Sequence, residues 1–261
     1  MTSNVLTEEH RSDQAAGPEP VAGKTVLVTG GSTGIGRATA ILLASAGAQV
    51  VIVGRHQREL DDAVHDIERA GGQVVALQAD LTESADIQRI FAEIDSRLDG
   101  LDVVVTNAAL GAGSIVDGTY DEWSYVVRTN FLGYLAVCHE AIARMRTCGR
   151  GHIVCLGSMS ADVREEGSSV YVATKAGIQG FAEALRKEVN PLGIKVSLIE
   201  PGAVGSDMQA DEFSPEQQRE QIEQLKMLRA EDIAACVLYV LTQPRRCDVV
   251  DVKIRPHRQE I

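Results

Sequence analysis

The sequence predicts a single α/β domain built as a doubly wound, seven-stranded parallel sheet with helices on both faces, and three observations carry that expectation. From Lys24 onward, short β-branched runs alternate with longer segments of helical period, the order that parallel strands joined by crossover helices produce. Runs such as Val50-Val51-Ile52-Val53 and Val103-Val104-Val105 are apolar without alternation, as in strands covered on both faces. No internal repeat, low-complexity block or composition shift interrupts the pattern, and 261 residues suit one large domain.

In chain order, the run Thr25-Val26-Leu27-Val28-Thr29 predicts the first strand, and residues 36–46 follow with helical period. Strand 49–53 leads to helix 59–70, strand 73–78 to helix 85–98, and strand 101–105 to a long helix over 120–145. Strand 152–156 precedes helix 170–189, strand 194–199 precedes helix 232–241, and 249–254 is the last strand. Residues 1–22 offer Thr, Ser, Glu, Asp, Gln and a Gly17-Pro18-Glu19-Pro20 step with almost nothing apolar, so they are expected to form a mobile tail ahead of a domain over 23–261.

Charge and composition narrow the function. With 25 Lys+Arg against 37 Asp+Glu, the net charge is −12, which offers no basic surface for nucleic acid or an anionic membrane. No apolar run reaches the roughly 18 to 20 residues that span a bilayer, and the N-terminus lacks a signal-peptide pattern. The five cysteines lack a C-x-x-C pair, and are expected to be reduced thiols in a cytoplasmic protein. The six histidines show no metal-ligand spacing, so catalysis is expected to need no metal.

The first strand runs into Thr29-Gly30-Gly31-Ser32-Thr33-Gly34-Ile35-Gly36 and then a helix. Gly30 suits a tight turn, Gly34 a close backbone approach to a pyrophosphate, and Gly36 close packing of helix on sheet, with free helix N–H groups facing the phosphates. A plain strand-to-helix turn would also use glycines, but the position at the first strand–helix junction points to a dinucleotide. Further along, Tyr171 and Lys175 stand four apart on a helix and share one face. Ser158 follows a strand at the end where open α/β sheets bind ligands. Taken singly, Tyr171 could be a half-buried aromatic, Lys175 a solvated helix residue, Ser158 a helix cap and Asn130 a core amide.

Together these residues resemble the short-chain dehydrogenase/reductase family. The resemblance rests on the G-x-x-x-G-x-G turn, Asp80-Leu81, Thr106-Asn107-Ala108-Ala109, Asn130, Ser158, Tyr171-x-x-x-Lys175 and Pro201-Gly202-Ala203-Val204, and it spans about 23–254. It implies a Rossmann fold, with Tyr171 as general acid/base, Lys175 as its electrostatic partner and ribose ligand, Ser158 as substrate positioner and Asn130 supporting a relay water. A phenol near pKa 10 needs a nearby cation to work at neutral pH, a part expected of Lys175 and an oxidised nicotinamide ring. The cofactor residues it implies are Gly30, Ser32, Thr33, Gly34, Ile35, Gly36, Arg55, Asp80, Leu81, Asn107, Tyr171, Lys175, Pro201, Gly202, Val204 and Ser206. The family's usual Asn-Asn-Ala-Gly stands here as Thr106-Asn107-Ala108-Ala109, and Ser206 replaces a frequent Thr.

Gly54 stands at the end of the second strand, where NAD-preferring relatives carry an acid. Arg55 then offers a planar donor set to a 2′-phosphate, so NADP(H) is favoured and NAD(H) possible, although Thr33 supplies no second basic group. A pair of changes, Gly54→Asp with Arg55→Ile, is expected to shift preference toward NAD(H). The expected activity is hydride transfer between the nicotinamide and a small ketone or secondary alcohol. Alternatives are a 3-oxoacyl-thioester reductase, which the acidic balance and the absence of a glycine-rich C-terminus disfavour, and a non-catalytic dinucleotide-binding regulator. Residues 207–228 read as a lid or a solvated helix. Ala176, Gly177, Gly180, Ala182 and Ala184 suggest helix contacts in a homo-oligomer, a tetramer by resemblance or a dimer.

Overall fold

A computed structural model describes residues 18–210 and 212–259. Strands β1 (Thr25–Thr29), β2 (Gln49–Gly54), β3 (Gln73–Gln78), β4 (Val103–Thr106), β5 (Gly151–Leu156), β6 (Ile194–Pro201) and β7 (Asp251–Ile254) form one sheet in the order β3-β2-β1-β4-β5-β6-β7. Every pairing is parallel. The helices are α1 (Gly34–Ser45), α2 (Gln57–Arg69), α3 (Ser84–Arg97), α4 (Tyr120–Val127), α5 (Gly133–Cys148), α6 (Ser160–Val163), α7 (Ser169–Val189), α8 (Pro215–Glu223) and α9 (Ala230–Leu241).

Strand side chains point alternately to the two faces, and both faces are covered. Val26, Val28, Val50, Ile52, Val103 and Val105 join Leu43 of α1, Leu60 of α2 and Val237 of α9 in one core. Leu27, Val51, Val53, Val104, Ile153 and Cys155 join Phe91 of α3, Val137 of α5 and Ile178 of α7 in the other. The unbroken apolar strands therefore have the burial that their composition demands. Between β1 and β4 the chain changes direction across the sheet, which opens a crevice beyond their carboxyl ends.

Two expectations are corrected. The helix expected over 120–145 is interrupted by a π turn at Arg128–Leu132, where the Gly133 N–H bonds the Arg128 carbonyl five residues back. One extra residue in the turn shifts register without disturbing the apolar pattern enough to be seen in sequence. Residues 18–22 do not behave as tail: Val21 is 3% exposed in the core and the Glu19 N–H bonds the Thr242 carbonyl at 2.7 Å. Residues 1–17 of the expected tail lie outside the described residues. The segment after Ser206, read as a lid or a solvated helix, contains the solvated α8, started by Ser214 and Gln217, whose side chains each bond the other's backbone N–H, with Pro215 in the first turn.

Among the described residues no helix is long and apolar enough to cross a membrane, and all five cysteines are unpaired.

Candidate active site

The glycine turn is held in a shape that its sequence requires. Gly30 and Gly34 adopt φ of 64° and 52°, a region that side-chain-bearing residues rarely enter. A Cβ on Gly36 would run into the Gly30 carbonyl oxygen, so only glycine lets α1 start this close to β1. Thr33 at the N-cap makes no side-chain cap bond, and the first turn of α1 holds no acid. Its leading N–H groups are therefore left to meet an anion, as a pyrophosphate-binding helix needs.

Asn107 braces this turn from β4. Its Nδ2 donates to the carbonyls of Thr29 (3.0 Å) and Gly30 (3.1 Å), while Thr29 Oγ1 accepts from the N–H groups of Asn107 and Ala108. The cleft so formed has a volume of about 390 Å³. Gly30, Ser32, Thr33, Gly34, Ile35, Arg55, Asp80, Leu81, Asn107 and Ser206 line it, together with Met208. Gly36, Tyr171, Lys175, Pro201, Gly202 and Val204 do not: Gly36 packs under the turn, Lys175 is buried, and Val204 is buried and bridges to Leu228. The Pro201 carbonyl instead accepts from Met159 N–H at 2.9 Å, tying the segment after β6 to the turn that carries Ser158. Of the apolar positions expected to form a lid, Met208 reaches the cleft beside Gly111, whereas Leu225 is 48% exposed.

The four expected catalytic side chains come from three elements around the carboxyl end of β5. Ser158 follows β5, Tyr171 and Lys175 lie in the first two turns of α7, and Asn130 lies in the π turn. Lys175 is 2% exposed, and its ammonium donates to the Leu156 carbonyl at 2.9 Å. Burial holds its pKa down to about 8. The Asn130 side chain closes on both backbone groups of Leu110, accepting from N–H at 2.7 Å and donating to the carbonyl at 2.8 Å, and reaches Thr174 at 3.4 Å. It fixes the loop after β4 against α7. Ser158 Oγ accepts from Ser160 N–H at 3.1 Å, so it also starts α6.

Tyr171 departs from expectation in one respect. Burial raises its phenol above the ordinary value, the Ser158 hydroxyl opposes that by hydrogen bonding, and Glu165 adds to the rise. Lys175 does not lower it in the protein alone, because the ammonium is 5.7 Å from the ring centroid and bonded to Leu156. Two tyrosines missed in the sequence complete the surroundings. Tyr134, 1% exposed on α5, donates its hydroxyl to the same Leu156 carbonyl at 3.1 Å and lays its ring 5.5 Å from the Lys175 ammonium. Tyr125 on α4 bonds Arg55 and Asp80. Tyr134 sits four residues after Asn130, on the same side of a helix, which is the one signal that could have found it. Arg164, between Ser158 and Tyr171, is exposed with φ of 56° and donates to the Ala161 carbonyl.

Glu200, on β6 behind the Ser158 turn, is 0% exposed, and its carboxylate oxygens find no hydrogen-bond partner among the described residues. Lys253 lies 3.6 Å away. Burial pushes its pKa up from 4.5 to about 7, with Asp251 and Asp162 adding and Lys253 opposing. Between those values the unfolded chain releases a proton that the folded one keeps, so stability falls as pH rises through that window. Glu200→Gln is expected to flatten the fall. It should melt several degrees above wild type at about pH 8 and close to it at about pH 5; an unchanged difference across that range would contradict the assignment.

This parallel sheet, with a glycine-lined cleft at its switch point, defines a Rossmann-fold domain. Comparison with known proteins narrows that class. A family model described as short chain dehydrogenase matches residues 24–217. An uncharacterized oxidoreductase of Staphylococcus aureus is 32% identical over 234 residues, covering 89% of this chain and 97% of that one. One from Staphylococcus epidermidis is 33% identical over 235 residues, with the same coverage. The crystal structure of a dehydrogenase/reductase from Sinorhizobium meliloti superposes with a TM-score of 0.80 at 32% identity, over 90% of this chain and 94% of that one. A metagenomic short-chain oxidoreductase crystallised with NADP has a TM-score of 0.78 at 26% identity, over 91% and 99%. The chain belongs to the short-chain dehydrogenase/reductase family. It is an oxidoreductase of that family.

Proposed function

We propose that this oxidoreductase uses NADP(H) in preference to NAD(H) to interconvert a small ketone and its secondary alcohol, with Tyr171 as the general acid/base. The observation that carries the proposal is the gathering of Ser158, Tyr171 and Lys175 at the carboxyl end of β5, beside a cleft into which the uncapped start of α1 opens. The glycine turn, the free N–H groups of α1 and the Asp80 carboxylate suit the pyrophosphate and adenine of a dinucleotide. The exposed Arg55 side chain, following Gly54, suits a 2′-phosphate, and the metagenomic relative was crystallised with NADP.

When bound, the cofactor supplies or accepts the hydride at the carbonyl carbon. The residues of the chain handle the oxygen and its proton. In reduction, the Ser158 hydroxyl holds the carbonyl oxygen while Tyr171 transfers its phenolic proton to it, forming the O–H bond as the phenol O–H breaks. The Lys175 ammonium stabilises the resulting phenolate, which regains a proton from solvent. Asn130 keeps the floor of the site in place through Leu110 and Thr174, and a water carried there would relay protons to Lys175. In oxidation each step runs backward.

A panel of small ketones and alcohols, followed by the absorbance of the reduced cofactor, tests this directly. Turnover with NADPH of at least one member, unaffected by chelators because the acid is a phenol, is expected. A panel with no turnover by either cofactor would contradict the proposal.

We also propose a homo-oligomer, a tetramer or dimer. Tyr120, Val127 and Leu132 are 77%, 42% and 54% exposed along α4 and the π turn, an apolar strip that a second copy could cover. A monomer mass by light scattering at micromolar concentration would exclude it. The five unpaired thiols suit a reducing compartment, the cytoplasm; recovery in the membrane fraction of its host would contradict that placement.

A further inference from the structure

We propose that Tyr125 determines cofactor preference by standing between Arg55 and Asp80 and keeping the two charges apart. The inference rests on Arg55 meeting a 2′-phosphate. Arg55 Nη1 donates to the Tyr125 hydroxyl at 2.6 Å, and that hydroxyl donates to Asp80 Oδ2 at 2.9 Å. The guanidinium carbon lies 5.6 Å from the Tyr125 ring centroid. One hydroxyl thus accepts from the cation and donates to the anion, occupying the place where they would otherwise meet.

The two charged residues are unequally free to move. Asp80 Oδ1 accepts from Thr82 N–H at 2.9 Å, and the Asp80 N–H is held by Asp86 at 2.7 Å, so the acid is fixed on its turn. The Arg55 backbone is anchored by Gln78 at 2.9 Å, but its long side chain is exposed and has rotamers to choose from. Without the hydroxyl, opposite charges this close attract, and Arg55 is the partner that moves. Direct pairing with Asp80 compensates its charge and turns the fork away from the cleft. With Tyr125 in place only Nη1 is committed, and the remaining guanidinium donors stay available to a phosphate. Tyr125 is therefore a positioning residue that acts through Arg55, on a helix distant in sequence from both of its partners.

Equilibrium binding of NADPH and NADH, read by the fluorescence of the reduced nicotinamide, tests this in wild type, Tyr125→Phe, Asp80→Asn and the double variant. Phenylalanine keeps the ring beside the Arg55 guanidinium and removes only the hydroxyl. In Tyr125→Phe the Kd for NADPH is expected to rise about three- to tenfold, with that for NADH within about twofold. Unchanged NADH binding also reports that the variant is folded. Adding Asp80→Asn removes the anion that captures Arg55, so the NADPH-to-NADH ratio of the double variant is expected to return toward that of Asp80→Asn alone. A wild type that prefers NADPH with a ratio unmoved by Tyr125→Phe would overturn the inference and leave the proposed cofactor standing. A wild-type ratio near one would overturn both.

Discussion

Replacing Tyr171 with phenylalanine is expected to lower kcat by about a hundred- to ten-thousandfold, the usual contribution of a positioned general acid, while the Kd of NADPH stays within about twofold. The phenol is the proposed proton donor, and Lys175 cannot replace it because its ammonium is directed at the Leu156 carbonyl. The ring, by contrast, remains in place to pack, so cofactor binding persists. Steady-state turnover alongside fluorescence titration of the cofactor separates the two effects. Wild-type turnover in the variant would remove Tyr171 from the chemistry.

Arg55→Ala is expected to lower kcat/KM with NADPH by about tenfold to over a hundredfold, because a charge-assisted bond to phosphate contributes roughly 1.5 to 3 kcal/mol. The value with NADH should change little. This single change replaces the exchange of Gly54 for an acid that the sequence suggests. A Cβ at Gly54 would lie 2.7 Å from Ser32 Oγ and 3.0 Å from Ser32 Cβ, so an acid there would have to push the Ser32 side chain aside and would not isolate the phosphate contact. Gly54 thus serves packing against Ser32 as well as leaving room for a phosphate. Equal losses with the two cofactors in Arg55→Ala would contradict the phosphate role.

The alternation of strands and helices was legible because a parallel sheet buried on both faces needs apolar strands, and Val50 to Val53 and Val103 to Val105 supply them. The glycine turn was legible because backbone geometry at Gly30, Gly34 and Gly36 excludes other residues at fixed spacing. Tyr171 and Lys175 were legible as a pair through the family resemblance, and helical spacing puts them on one face. What stayed hidden depends on partners distant in the chain. Tyr134 acts through the Leu156 carbonyl and Tyr125 through Arg55 and Asp80, contacts that no local pattern encodes. The π turn escaped because one added residue scarcely alters a helical apolar stripe. Val21 escaped because a single apolar residue in a polar stretch gives no period, although it docks in the core. Glu200 resembled any acid in a strand end until its burial was known.

The central claim is that hydride passes between a nicotinamide and a carbonyl carbon while Tyr171 handles the proton, and isotope transfer tests it most directly. Wild type is given NADPH deuterated at the transferable position of the nicotinamide and each member of a panel of small ketones, and the alcohols are analysed by mass spectrometry. The account predicts deuterium at the carbinol carbon of a product in wild type, with formation of that product reduced at least about a hundredfold in Tyr171→Phe. Alcohol formed without the label, or labelled alcohol formed equally fast by Tyr171→Phe, would contradict it.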